Sequence, residues 1–166
     1  MQGVLELEAA VQQDPRDAEA WLALGLKQQE NEREDAAIRA LAKATQLAPD
    51  TRPAYLALAV SYVNEGRGDA AHASLEKWIE LGSGEPLSQT PGETSEERQS
   101  RIVDRLIQIA RMSPDDLDAD VQIALGVLFN ASEVCHCGRG HARAGCARRR
   151  RWRWPTPKMV GATSSG

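Results

Sequence analysis

The chain has 166 residues, of which 42% are hydrophobic and only 4% aromatic, and its formal net charge is −4. This length suffices for one ordinary domain or a short array of repeats. No apolar run approaches the ~20 residues that a transmembrane helix needs, and the first residues include two acids and no basic cluster. We therefore expect a soluble intracellular protein without a signal peptide.

The first part of the chain repeats with a period of 34 residues. Counted from Trp21, small or apolar residues and a proline follow at offsets of 3, 4, 16, 20, 23 and 28: Leu24, Gly25, Ala37, Leu41, Ala44 and Pro49. These are the spacings of the tetratricopeptide repeat, a helix–turn–helix unit. A shift of 34 leads to Tyr55, Leu58, Ala59, Ala71, Leu75 and Trp78, and the opposite shift to Leu7, Ala10 and Pro15. The pattern predicts an all-α fold, an incomplete tetratricopeptide-repeat superhelix of antiparallel helix pairs.

The predicted helices lie at about 4–13, 18–30, 34–47, 52–64, 68–81, 98–112 and 118–131. Residues 1–81 form the N-terminal repeats, and residues 82–100, rich in Gly, Pro, Ser and Thr, form a loop or hinge. Residues 101–133 supply one helix and the first helix of a further repeat, with Phe129 in its packing position. The segment expected to form that repeat's second helix has poor helix propensity, so we predict the first helix of this repeat without the second.

The composition changes abruptly near Glu133. All 24 acidic residues but only 12 of the 20 basic ones lie at or before it, so this part carries −12 and the last 33 residues carry +8. We predict that residues 134–166 form a disordered basic tail, typical of translation in a shifted frame or through an intron. Zinc binding around Cys135 and Cys137 is less favoured because the spacing matches no usual zinc motif. Nucleic-acid binding by the Arg- and Trp-rich run 148–154 is the other alternative.

The repeat predicts a peptide-binding wall. In stacked helix pairs the first helices line a concave surface, and here the inward positions follow the aromatic one at offsets of 5, 8 and 9. They are Val60, Val63 and Asn64, preceded by Leu26, Gln29 and Glu30 and followed by Val127, Asn130 and Ala131. An asparagine can donate to and accept from a peptide backbone simultaneously. Two alternatives stay open: Asn64 caps its helix, and the two valines serve only for packing.

Several segments resemble the peroxisomal targeting signal type 1 receptor family. They are Leu7–Pro15, Ala20–Gly25, Gln29-Glu-Asn-Glu32, Ala57–Ser61 with Asn64-Glu65, Asp120–Gln122 and Leu125–Asn130, and together they span about residues 4–133. The resemblance implies a cytoplasmic receptor that cycles to the peroxisome membrane and binds the C-terminal Ser-Lys-Leu-type tripeptide of cargo proteins. It implies peptide-binding roles for Asn64, Val60, Val63, Glu65 and Asn130.

The sequence also departs from that family. The Trp-x-x-x-aromatic motifs that serve docking proteins of the peroxisomal membrane are absent, and the tail stands where later repeats bind the cargo carboxylate. We therefore expect half of a cargo clamp, truncated at both ends, with weak or undetectable peptide binding. The alternative function is a generic tetratricopeptide scaffold with no peroxisomal role. No catalytic residue, metal site, cofactor or nucleic-acid partner is expected, since the body has one histidine, His72, and no phosphate-binding loop.

Overall fold

The computed structural model describes residues 3–87, 91–112 and 118–137, the last six by their backbone alone. These residues form helices and no strand, as the 34-residue pattern predicts. The helices are α1 (Val4–Gln13), α2 (Ala18–Glu30), α3 (Glu34–Leu47), α4 (Arg52–Asn64), α5 (Gly68–Ser83), α6 (Ser95–Met112) and α7 (Ala119–Cys137).

The bounds of α1 to α4 are those predicted, and the later helices differ at their ends. α5 runs two residues further than predicted and ends before Gly84, which has a left-handed φ of 71°. α6 begins at Ser95 and not at 98 because Thr94 and Glu97 form a capping box. The Glu97 carboxylate accepts from the Thr94 N–H at 2.8 Å, and the Thr94 hydroxyl accepts from the Glu97 N–H at 3.2 Å.

α7 extends further than the sequence predicts. It ends at Cys137 instead of about 131, so its last four residues belong to the segment predicted as an irregular tail. The rest of that prediction, for residues 138–166, lies outside the described residues.

The 34-residue period is visible in the hydrogen bonds. The Trp21 indole donates to the Pro15 carbonyl at 3.0 Å, and 34 residues later the Tyr55 hydroxyl donates to the Pro49 carbonyl at 3.1 Å. The turns after α2 and α4 match in the same way, with positive φ values of 59° at Glu32 and 72° at Gly66. Equivalent sequence positions therefore form equivalent local structure.

Small residues bring the paired helices together. A Cβ placed on Gly25 of α2 would lie only 2.5 Å from Leu41 Cγ in α3, so the two backbones approach as closely as a glycine allows. Ala37 and Ala71, the corresponding small residues of α3 and α5, are both completely buried. The pairs α2–α3 and α4–α5 make the most extensive helix contacts of the described fold, as expected for consecutive repeats.

The largest hydrophobic cluster joins the second pair to the C-terminal helices. α7 packs against α4, α5 and α6, and α6 also packs against α5. Trp78 of α5 is fully buried in this cluster, and the guanidinium of Arg52 lies 4.0 Å from the centre of its ring. α6 contributes the fully buried Ile102 and Leu106. The α4–α5–α6–α7 assembly is thus one continuous core.

Candidate functional site

Asn64 lies at the C-terminal end of α4, where the helix gives way to a tight turn. The chain leaves the helix at Glu65 and turns through the left-handed Gly66. The Asn64 side chain is partly buried, and its amide Nδ2 donates a hydrogen bond of 2.7 Å to Glu34 Oε1 at the start of α3. Asn64 therefore joins its own repeat to the preceding one.

A buried polar chain lies beside Asn64. The Ser61 hydroxyl donates to Glu34 Oε2 at 2.6 Å and accepts from the Gln29 amide at 2.7 Å. The same Gln29 nitrogen also donates to the Ala57 carbonyl at 2.8 Å. Glu34 is only 5% exposed and Ser61 is fully buried. Three helices, α2, α3 and α4, thus meet through side chains around one carboxylate.

The two predicted valines lie inside the core. Val60 is 2% and Val63 is 3% exposed, and both belong to the cluster that contains Val127 and Ala131 of α7. In this arrangement the inward faces of α4 and α7 pack together at these positions. The packing role that the sequence left open therefore applies to both valines, and their contact with a peptide stays a prediction.

The remaining predicted residues lie nearer the surface. Glu65 is exposed, and Asn130 of α7 is partly buried. Phe129, which the repeat pattern placed in a packing position, is 62% exposed, so this expectation was wrong. Among the described residues no helix follows α7 that could cover the ring.

A cluster of ion pairs lies at the α5–α6 junction, and the sequence pattern did not predict it. Glu76, which is 4% exposed, accepts hydrogen bonds from both Arg98 and Arg101, the latter at 2.7 Å, and Arg101 also pairs with Glu93 at 2.8 Å. Burial works to raise the pKa of Glu76, but the hydrogen bonds from Arg98 and Arg101 outweigh it and hold the pKa below its usual value. Spacing gave no signal because the partners are 22 to 25 residues apart.

His72 on α5 is a buried titratable group that the charges of Arg98 and Glu76 in that cluster affect. It is 1% exposed, and neither ring nitrogen has a hydrogen-bond partner among the described residues. Burial lowers the pKa of His72, the charge of Arg98 lowers it further, and Asp69 and Glu76 oppose the change. With no nucleophile or acid hydrogen-bonded to it, the neutral imidazole is a core residue in this arrangement.

The described residues contain neither a group of metal ligands nor a helix able to span a membrane. In the described ranges no three His, Cys, Asp or Glu side chains lie close enough together to hold a metal ion. The cysteines and the two further histidines have side chains outside the described set. None of the described helices combines the length and apolar character that a bilayer-spanning segment needs.

The fold and the site define a class of protein: stacked tetratricopeptide-type helix pairs with a polar cluster at the helix ends. No protein-family model matches the chain. It is 43% identical over 141 residues to the peroxisomal targeting signal receptor of Yarrowia lipolytica, an alignment that covers 80% of this chain and 24% of the relative. The receptor of the same name from Komagataella phaffii is 41% identical over 138 residues, covering 78% and 24%.

A mammalian relative matches as well. The PEX5-related protein of Mus musculus is 38% identical over 144 residues, covering 78% of this chain and 25% of its own length. The chain thus spans about a quarter of the length of the curated relatives it matches. Its aligned region is homologous to a quarter-length segment of the peroxisomal targeting signal receptors.

Proposed function

We propose that the helical body of this chain is part of a receptor for C-terminal peroxisomal targeting signals of the Ser-Lys-Leu type. The observation that carries this proposal is the identity of about 40% to proteins named peroxisomal targeting signal receptor, extending over about 80% of the chain. Helices α1 to α5 follow the 34-residue period of tetratricopeptide repeats, whose stacked helix pairs form surfaces of the kind that bind extended peptides. The proposed function is therefore recognition of a peptide, which agrees with the relatives' names as receptors.

The geometry favours distinct roles for the predicted residues. Asn64, Glu65 and Asn130 keep part of their surface accessible, so they are the groups that an incoming peptide would reach. Val60 and Val63, at 2% and 3% exposure, offer a peptide almost no area. We assign them the role of a packed wall that fixes the position of Asn64 on α4.

Charge supports the same class of ligand. Residues up to Glu133 carry a formal charge of −12, and Glu65 is exposed beside Asn64. The lysine before the last residue of such a signal is positively charged, so an acidic surface would attract that side chain, and the attraction would weaken with added salt. The Arg- and Trp-rich run 148–154 is positively charged and would not attract this lysine.

Localisation and further partners follow from the same proposal. A receptor of this kind works in the cytoplasm and cycles to the peroxisome membrane, where docking proteins are its partners. The competing proposal is a generic tetratricopeptide scaffold that binds another protein. The two differ in whether binding depends on the free carboxylate at the end of the peptide.

A titration with matched peptides separates these functions. A fluorescent peptide that ends in Ser-Lys-Leu would be compared with the same peptide carrying a terminal carboxamide. Each would be titrated into this chain and into a chimera that continues after Asn130 with the equivalent Yarrowia lipolytica receptor sequence. We expect weak binding to the chain and tight binding to the chimera, reduced by ~30- to 4000-fold by the carboxamide, since a buried charge contact contributes ~2–5 kcal/mol. Equal binding of both peptides, or none by the chimera, would favour the scaffold.

A further inference from the structure

The hydrogen bonds around Glu34 have a fixed direction. The Gln29 amide nitrogen can only donate, so the Ser61 oxygen accepts from it and directs its own hydrogen to Glu34 Oε2, at 2.6 Å. A carboxylate oxygen accepts hydrogen bonds, and Asn64 Nδ2 donates to Glu34 Oε1 at 2.7 Å. The chain of donors and acceptors therefore permits one orientation of the Asn64 amide.

The opposite orientation would be costly. If the Asn64 amide were flipped, its carbonyl oxygen would face the Glu34 carboxylate, and two acceptors would meet at hydrogen-bond distance. Glu34 is 5% exposed, so little water is available to relieve that repulsion. With Nδ2 directed at Glu34, the Oδ1 atom is directed away from it. A carbonyl oxygen has two lone pairs, so Oδ1 can accept a peptide N–H alongside an intramolecular partner.

From this geometry we infer that Glu34 is a positioning residue that fixes the Asn64 amide so that Oδ1 is presented to a backbone N–H of the bound peptide. This inference rests on the proposed function. It goes beyond that function in assigning a role to a residue of α3, in the preceding helix pair, and in giving Asn64 the part of acceptor toward the ligand. Gln29 and Ser61 complete the assembly by fixing the other oxygen of Glu34.

A purely structural role for Glu34 makes a different prediction. Glu34 is the first residue of α3, where a negative charge interacts favourably with the helix dipole. Asp35 occupies the same first turn and is exposed, so it shares the dipole effect but takes no part in the network. Asp35→Ala is therefore the matched control for Glu34→Ala.

The first measurement uses nuclear magnetic resonance relaxation of the Asn64 side-chain NH₂ group in the full chain. We expect the group to be as rigid as the backbone in the unmodified chain and in Asp35→Ala, with order parameters near ~0.85, and to fall below ~0.6 in Glu34→Ala. A rigid group in Glu34→Ala, or a mobile one in the unmodified chain, would overturn the inference. If the backbone spectrum shows that Glu34→Ala is unfolded, Glu34→Leu, which keeps most of the side-chain volume but accepts no hydrogen bond, takes its place with the same criterion.

The second measurement separates this inference from the proposed function. In the chimera, Glu34→Ala should weaken binding of the Ser-Lys-Leu peptide by about tenfold when Asn64 is present and should have no effect in an Asn64→Ala background. The same loss in both backgrounds would show that Glu34 does not act through Asn64, which would overturn the inference. Absence of peptide binding by every form would refute the proposed function, while the relaxation result would still show whether Glu34 orients the amide.

Discussion

Gly25 sets the distance between the first two paired helices. A Cβ at this position would meet Leu41 Cγ at 2.5 Å, Leu41 Cδ2 at 2.7 Å and the Leu41 backbone nitrogen at 3.2 Å. Leu41 is completely buried, so any shift of its side chain would have to displace other core atoms. The packing of α2 against α3 therefore requires the glycine of the Leu-Gly pair. This requirement explains why the position of the pair in the sequence predicts the repeat.

We predict that Gly25→Ala destabilises the fold by about 1–3 kcal/mol, despite the better helix propensity of alanine, because the added methyl overpacks the α2–α3 contact. Urea unfolding followed by circular dichroism measures the effect. Gly3→Ala is the control, since a Cβ there has nothing within 4 Å. Equal stability of the two variants would show that the helices separate at no cost.

His72 makes stability depend on pH. Burial first, and then the charge of Arg98, lowers the pKa of His72 in the folded state, while the unfolded chain binds the proton near the ordinary value of 6.5. Below pH 6.5 the unfolded state thus holds more protons than the folded state. The contribution of neutral His72 to the free energy of unfolding is therefore fully present above pH 6.5. It is lost as the pH falls from 6.5 toward the lower folded-state pKa.

We predict that His72→Leu flattens this dependence between pH 7.5 and 5.5, where the unmodified chain loses up to about 1.4 kcal/mol per pH unit. At pH 7.5 the substitution should be neutral or stabilising, because both ring nitrogens lack hydrogen-bond partners in the described structure. Melting temperatures at the two pH values test this. Other titrating groups are the same in both proteins, so their effect on the melting temperature cancels in the comparison. Equal pH dependence of the two proteins would contradict the prediction.

Among the contacts between helices, the junction of α5 and α6 depends on one carboxylate, that of Glu76. Glu76 is 4% exposed and joins Arg98 and Arg101 of α6 to α5, while the Arg101–Glu93 pair fixes the segment before α6. The arginine side chains are 24% and 20% exposed, so water still reaches them. This partial access moderates the cost of leaving them without their partner.

We predict that Glu76→Gln destabilises the fold by about 1–3 kcal/mol and increases amide exchange in α6, because two arginines lose their charged acceptor. Glu80→Gln is the control on the same helix. Glu80 pairs with Lys77 at the surface, at 3.2 Å, and its loss should change stability by less than about 1 kcal/mol. Similar effects of the two substitutions in urea unfolding would show that burial of Glu76 contributes nothing.

The helices differ in how well the sequence predicted them, for a physical reason. α1 to α4 end at signals that are local, such as the turns through Glu32 and Gly66. The start of α6 is also encoded locally, in the capping box of Thr94 and Glu97, but the Gly- and Pro-rich composition of residues 82–100 predicts a loop across it. The Glu76 pairs could not be predicted, because they depend on where the fold places residues distant in sequence.

In the whole molecule, the candidate site was predicted only in part. Periodicity placed Asn64, Val60 and Val63 on one helix face, but it could not show that both valines are buried in the core together with α7 residues. Nor could it identify Glu34, since its interaction with Asn64 crosses 30 residues and joins two helix pairs. The face of a helix follows from local spacing, whereas its partners follow from the packing of the entire stack.

The central claim is that Asn64 belongs to a surface that recognises C-terminal targeting peptides. It is tested most directly by titrating the Ser-Lys-Leu peptide into the chimera with and without Asn64→Ala, using Gln46→Ala, an exposed amide on α3, as the control. We predict that Asn64→Ala weakens binding by about 1–3 kcal/mol, or about 5- to 150-fold, because peptide backbone groups lose their partner, while Gln46→Ala leaves binding unchanged. An affinity unaltered by Asn64→Ala would contradict the claim.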